Sequence, residues 1–346
     1  MEILLYLAAA IIGSFLVVKG SGLLESSAEH LSLNYGLPPV VHGAVVVAIG
    51  SSFPELSSVV ISALRGNFEL GISVVIGSAI FNILVIPGLS GIFSPSGMKT
   101  DKELIYKDAQ FYMLATAVFV LVLALALVYN NVPEGEGGGR FIGELTRPLA
   151  LIPVALYGLY IFIQKMEVSD YEVPERPEGI NVGKEWGRLA LSLVLVVIGV
   201  DGLVQAAEFF GDETGIPSFV WGITVIAAVT SVPDALISIN LARKGEGVVS
   251  LANVLGSNSF DLLIAVPAGV LIAGTLAFQF DIAMPLVVFL GIATVVLFVQ
   301  IRTGLVLSKR ESILLLVLYG VFIVWMILEQ VDVMSLLPEE IPAGVE

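Results

Sequence analysis

Residues 43–87 read GAVVVAIGSSFPELSSVVISALRGNFELGISVVIGSAIFNILVIP, and the chain returns to the same pattern 179 residues later. Residues 222–266 read GITVIAAVTSVPDALISINLARKGEGVVSLANVLGSNSFDLLIAV, with no gap in the register. Pro54 falls on Pro233, Gly66 on Gly245, Gly77 and Ser78 on Gly256 and Ser257, and Phe81 on Phe260. Glu55 falls on Asp234 and Asn82 on Asp261. Pro87 and Pro267 miss the register by one, and the core match ends there. Composition makes two apolar stretches look alike; it does not hold Pro-acid, Gly-Ser and Phe-Asn/Asp in one ungapped register. The stretch is an internal duplication.

With 57% hydrophobic and 14% charged residues and a mean hydropathy of +0.96, the chain is too apolar for a soluble globule, which carries about 25% charged residues. There is no cysteine, which excludes disulfides and thiolate metal sites. The net charge of −15 gathers in loops such as Glu167 to Glu178 and in the tail at Glu339, Glu340 and Glu346. Solvated acidic loops explain it, and such a balance excludes nucleic acid as a partner. The first apolar run, Ile3 to Val18, follows an acidic Glu2 and has no cleavage pattern, so it reads as a retained helix rather than a signal peptide.

About ten spans of bilayer length follow, at 3–20, 37–64, 70–93, 105–129, 148–164, 186–209, 216–242, 248–274, 281–301 and 311–329. The expected fold is an all-α integral membrane protein. The offset also pairs Gly20 with Gly199, Glu29 with Glu208, Gly36 with Gly215 and Pro38 with Pro217, so the repeat unit is five helices. Residues 1–165 form the first membrane repeat (core 43–88), 166–184 a cytoplasmic linker, and 185–346 the second repeat (core 222–267). With the N-terminus outside, the inner loops collect Lys19, Lys99, Lys102, Lys107, Lys165, Arg176, Lys184, Arg188, Arg243, Lys244, Arg302, Lys309 and Arg310. The outer loops collect Arg65, Arg140 and Arg147. Thirteen against three places both termini on the extracytoplasmic side. Five spans per half then make the repeats point opposite ways, the architecture of secondary transporters with a site at the midplane.

Polar residues fall at that depth. Pro54 and Pro233 are expected inside their helices, freeing carbonyls near Gly50 and Val229. Such carbonyls are tolerated in a membrane where another group, such as a cation, satisfies them. Four oxygen pairs stand at i,i+4: Ser51 with Glu55, Ser78 with Asn82, Thr230 with Asp234, and Ser257 with Asp261. Ser52 and Ser231 add i,i+3 neighbours of the acids. This all-oxygen set suits hard cations such as Ca²⁺ and Na⁺, and without His or Cys it disfavours Zn²⁺ or Cu⁺. Ser58, Ser62 and Ser73 read as serines bonded to their own backbone or packed at a seam. His30 and His42 read as interfacial residues. Intramembrane acids differ, because burying one costs roughly 2.5–3.5 kcal/mol even on the insertion scale.

GSSFPEL at 50–56 with GSAIFN at 77–82, and VTSVPD at 229–234 with GSNSFD at 256–261, resemble the two core repeats of the sodium/calcium exchanger family, within the Ca²⁺:cation antiporter superfamily. With Ala-Arg-Lys-Gly at 242–245, the second repeat is similar to the K⁺-dependent branch, although relatives carry Glu at position 234 or Asn at position 261. The likeness is specific over about ninety residues. The resemblance implies a membrane antiporter, not an enzyme, with no cofactor and with Ca²⁺, Na⁺ and in some members K⁺ as cargo. It implies Glu55 and Asp234 as central Ca²⁺ carboxylates, aided by the carbonyls of Ser51 and Thr230. It implies Na⁺ at flanking sites made by the Ala48 and Ala227 carbonyls with Ser52, Ser78, Ser231 and Ser257. Asn82 and Asp261 would line the middle site, and the first and sixth spans would slide across it. The implied location is the plasma membrane.

Three other readings share some of these residues. A Ca²⁺/H⁺ antiporter has the same fold, but that branch is similar to a G-N-x-x-E pattern where this chain has Ser51-Ser52-Phe53-Pro54-Glu55. A channel needs a continuous pore, whereas two inverted acidic sites suit occlusion. An intramembrane hydrolase needs a His or Lys base or a paired-Asp motif.

Overall fold

The computed structural model describes residues 2–36, 48–131, 141–166 and 180–330. Among them, eight helices are long and apolar enough to cross a membrane. They are α1 (Glu2–Asn34), α4 (Phe68–Phe93), α5 (Lys102–Tyr129), α6 (Arg147–Met166), α7 (Val182–Thr214), α10 (Gly247–Ala273), α11 (Phe280–Arg302) and α12 (Lys309–Gln330). A ninth span is a pair, α8 (Ser218–Thr230) and α9 (Val232–Arg243), bent by 45°. The expected span at 37–64 appears as α2 (Ala48–Ser51) and α3 (Phe53–Leu64); its first part, with His42, lies outside the described residues.

The duplication is carried into three dimensions. Adding the 179-residue offset to α3 gives the bounds of α9. Both helices end in the same turn: Gly66 N donates to Ala63 O and Asn67 N to Ser62 O, while Gly245 N donates to Ala242 O and Glu246 N to Leu241 O. Gly66 and Gly245 hold φ of +80° and +85°, a left-handed conformation that favours glycine and stops each helix. Contacts between the halves exchange in the same way. α1 lies along α7, and the backbones of Gly13 and Gly199 touch, as do those of Gly20 and Ser192. The offset turns the first pair into the second. Side chains there would hold the helices apart, so the small residues let α1 and α7 pack as one slab.

Four departures from the sequence reading have physical causes. α1 and α7 each run for 33 residues, about 50 Å, rather than the spans 3–20 and 186–209. Their polar second halves stay helical because the two helices pack on each other. Lys19 therefore lies exposed within α1 rather than in an inner loop. Lys184 likewise belongs to α7, capped by the Asn181 side chain, and not to the linker. Finally, short strands join the all-helical body: β1 (Met98–Lys99) pairs with β4 (Val306–Leu307), and β2 (Ile142–Leu145) with β3 (Leu276–Gln279). Each pair ties one repeat to the other.

α4 is buried over most of its length, and only Phe93 at its end is exposed. Its Gly77 lies against the first part of α8. A Cβ there would meet the Ile223 carbonyl oxygen, with Ile223 Cα at 2.7 Å and Ala227 Cβ at 2.8 Å. This close crossing sets the depth at which the two acid-bearing breaks meet.

Candidate functional site

The chain breaks where the serines and prolines fall. α2 stops at Ser51 and α3 starts at Phe53; α8 stops at Thr230 and α9 starts at Val232. Pro54 and Pro233 therefore sit in the first turn of a restarted helix rather than inside a continuous one. Proline needs no hydrogen-bond acceptor there, so the chain breaks where a kink was expected. The pairs Ser51–Glu55 and Thr230–Asp234 straddle these breaks. Ser78–Asn82 and Ser257–Asp261 do lie on continuous helices, α4 and α10. In α10 the backbone widens to π geometry at Asp261–Ala265. A π segment also fills Gly222–Ile226 of α8, a distortion frequent at functional sites.

The two breaks and the two continuous helices come together in the interior. Ser51, Ser52, Glu55, Ser78, Asn82, Ala227, Thr230, Ser231, Asp234, Ser257 and Asp261 are each no more than 1% exposed. Ser78 Oγ donates to Glu55 Oε1 at 3.1 Å, and Ser257 Oγ to Asp234 Oδ1 at 3.2 Å, the same bond in each repeat. Hydroxyls then cross between repeats: Ser51 with Ser257 at 2.9 Å and Ser78 with Ser231 at 2.8 Å. Ser52 Oγ donates to Ser257 O at 3.4 Å. Thr230 faces Glu55, and Ser51 and Asn253 face Asp234. Glu55 and Asp234 are charged neighbours of each other and of Asp261. Of the carbonyls, Ala227 O already accepts from Ser231 N at 3.1 Å and Thr230 Oγ1 at 3.2 Å. Ala48 is the first residue of α2.

Oxygen acceptors in this cluster go unanswered. Glu55 Oε2, Asp234 Oδ2, both carboxylate oxygens of Asp261 and Asn82 Oδ1 are buried with no hydrogen-bond partner among the described residues. No Lys, Arg or His among the described residues pairs with the three acids. Buried acceptors are ordinarily satisfied, and a buried carboxylate without a countercharge costs several kcal/mol. Such a set of orphaned oxygen acceptors has the chemistry to receive a hard cation. Among the described residues no three His, Cys, Asp or Glu come close enough to hold one metal ion. A hard cation received here would have to draw hydroxyl, amide and carbonyl oxygens in addition to carboxylates.

The bland readings hold for two serines: Ser58 and Ser73 donate to Pro54 O and Leu70 O. His30 lies 3.3 Å from Glu185, joining α1 to α7. Other participants gave no sequence signal. Glu25 of α1 has no acidic counterpart in the second repeat, yet its backbone lies 3.6 Å from where a Cβ of Gly50 would be, and Asp234 is among its electrostatic neighbours. Tyr112 of α5 reaches the site from outside both core stretches, through Asn258.

An inverted-repeat, all-helical membrane fold with a buried oxygen site at the crossing of the repeats defines a secondary transporter. The profile of the family described as "Sodium/calcium exchanger protein" matches residues 5–166 and 184–328, and the chain belongs to that family of membrane exchangers. It is 27% identical to "Sodium/calcium exchanger MaX1" of Methanosarcina acetivorans, over 91% of this chain and 96% of the relative. Two solved structures share the fold. The sodium-calcium exchanger NCX_Mj soaked with 10 mM Na⁺ and zero Ca²⁺ superposes with a TM-score of 0.62 at 22% identity, covering 93% of this chain and 99% of that one. The H⁺/Ca²⁺ exchanger CAX superposes with a TM-score of 0.73 at 15% identity, covering 92% and 82%.

Proposed function

We propose that this protein is a plasma-membrane antiporter that exchanges Ca²⁺ for Na⁺ by alternating access. Glu55 and Asp234 are the central Ca²⁺ carboxylates, with the Ser51 and Thr230 carbonyls beside them. Na⁺ occupies flanking positions at Ser52, Ser78, Ser231 and Ser257 with the Ala48 and Ala227 carbonyls. Asn82 and Asp261 line the middle. The observation that carries this reading is the pair of repeat-related acids, buried without a countercharge and bridged by serine hydroxyls. A hydroxyl ligates Na⁺ but carries no proton away at physiological pH, which favours Na⁺ over H⁺ as the coupling ion. The fold shared with an H⁺/Ca²⁺ exchanger keeps proton coupling as the second reading.

Exchange follows from the same charges. An empty cavity leaves several carboxylates desolvated and mutually repelling, so reorientation is hard unless Ca²⁺ or several Na⁺ neutralise them. The moving part is the α1–α7 slab. In this conformation Arg65 holds α7 through Asp201 at 2.5 Å and Glu208 at 3.7 Å, and Asn67 reaches Ser218 at 3.2 Å. The related Lys244 turn makes no ion pair with α1 among the described residues. The slab is thus fastened at the Arg65 end, the outer one in the proposed orientation. Where the charge moved in the two half-cycles differs, transport is worth about 2.3 kcal/mol per net charge per 100 mV.

The deciding experiment is radiolabelled Ca²⁺ uptake into proteoliposomes under separately imposed Na⁺, H⁺ and K⁺ gradients. Uptake driven by an outward Na⁺ gradient supports the reading; uptake indifferent to Na⁺ but scaling with a pH gradient transfers the protein to the proton-coupled class. Stimulation by K⁺ that Asp261→Asn removes would add K⁺ to the cargo. Ser52→Ala and Ser231→Ala are expected to weaken Na⁺ activation roughly fivefold to tenfold, the cost of one lost ligand contact, and to change Ca²⁺ affinity far less. Orientation is tested with single cysteines at Asn67 and Glu246. An impermeant maleimide should label the first in intact cells and spare the second; labelling of both from one side would remove the inverted arrangement.

A further inference from the structure

The middle of the site contains an amide whose direction matters. Asn82 has one oxygen and one NH₂ group, and only the oxygen can face a cation. Its repeat counterpart, Asp261, has no such ambiguity, because either end of a carboxylate accepts. Something must turn Asn82.

Asn258 is the group in contact with it. It belongs to the GSNSFD stretch, lies on α10 three residues before Asp261, and is fully buried, as is Asn82. Its Nδ2 donates to the backbone carbonyl of Ala79 at 3.1 Å and to the hydroxyl oxygen of Tyr112 at 3.2 Å. A backbone carbonyl only accepts, so the NH₂ of Asn258 must face Ala79, and its Oδ1 must face the other way. There it accepts from Asn82 Nδ2 at 3.0 Å. With its NH₂ committed, Asn82 has its own Oδ1 turned away, buried and without a partner. Donation runs from Asn82 to Asn258 and from Asn258 to the fixed Ala79 carbonyl, which leaves Asn82 Oδ1 as the free acceptor at the end of the chain.

Resting on the cation-site reading above, we infer that Asn258 is a positioning residue that makes Asn82 an acceptor-only ligand, and so sets cation affinity at the middle of the site. The duplication supplies an independent argument. The offset places Ala79 opposite Asn258, and Ala79 contributes only its carbonyl. The device therefore exists once, on the side where residue 82 is an amide, and is missing where residue 261 is a carboxylate that needs none. Tyr112 closes the arrangement by taking the second N–H of Asn258, so the amide has nowhere else to turn.

The test is the cation-induced rise in melting temperature of the purified full-length protein, followed by tryptophan fluorescence while Na⁺ or Ca²⁺ is titrated. Asn258→Ala frees the Asn82 amide to turn its NH₂ inward, and apparent affinity for at least one of the two cations should fall about tenfold or more. The same substitution is then made in an Asn82→Asp background, which resets the baseline but carries no amide to orient. Within that background Asn258→Ala should cost no further affinity. An equal loss in both backgrounds would mean that Asn258 merely supports the helix, and unchanged affinity in the first would mean that it does not position Asn82; either overturns the inference. Where Asn258→Ala does not fold, Asn258→Asp carries the test. It keeps an acceptor toward Asn82 and loses the bond to Ala79, so a positioning role retains cation stabilisation and a scaffold role loses it. A wild-type protein that neither cation stabilises would instead refute the cation site itself.

Discussion

Glu55→Gln and Asp234→Asn are each expected to abolish Ca²⁺ exchange and still yield folded protein. Each substitution is isosteric and keeps an oxygen for its serine, Ser78 or Ser257, so packing at these buried positions survives. It removes one of two central carboxylates and a unit of negative charge from a cluster with no basic partner among the described residues. Exchange activity should fall at least a hundredfold, the scale on which a lost charged ligand weakens binding. The stability readout moves the other way. Without cations the variants should melt at or above the wild-type temperature, because repulsion among Glu55, Asp234 and Asp261 is relieved. Ligand stabilisation, about 2.7 kcal/mol at a hundred times Kd, should disappear for Ca²⁺. Transport at the wild-type rate in either variant would remove these acids from the mechanism.

Gly77→Val should have the largest effect on the fold. The new side chain would enter backbone, not a movable side chain, at the Ile223 carbonyl and Cα. α4 and α8 would have to separate, which strains a packed interior by roughly 1–3 kcal/mol or more. It would also pull the Ser78 hydroxyl from Ser231. The measurement is the fraction of protein recovered as a monodisperse peak in detergent, together with its melting temperature. Gly320→Val, at an exposed position of α12, is the control: no atom of the described residues stands within 4 Å of a Cβ there, so it should be tolerated. Equal tolerance at both positions would show that the α4–α8 crossing is not a tight contact.

Gly77 shows where sequence reading stops. The motif marks a glycine, and only the assembled protein says that it is pressed against the backbone of Ile223. The same holds for the prolines. Pro54 and Pro233 marked a disturbance of the helix, but whether it would be a kink or a break depended on what satisfies the freed backbone, a matter of tertiary contact. Glu25 carried no repeat counterpart to single it out. Asn258 was visible as a letter in GSNSFD; its role depends on the Ala79 carbonyl 179 residues away.

By itself the sequence determined the class of the protein. Apolar length is enforced residue by residue by the bilayer, an ungapped duplication is preserved in the order of letters, and an acid at membrane depth is too costly to be incidental. Those are one-dimensional facts, and they were enough for the family and the all-helical membrane fold class. The tertiary structure alone decided which oxygens face one another, which are left without a partner, and which way each amide points. Hydrogen bonds act over about 3 Å and depend on direction, so residues far apart in the chain and on different helices become one site only when packing brings them within that reach.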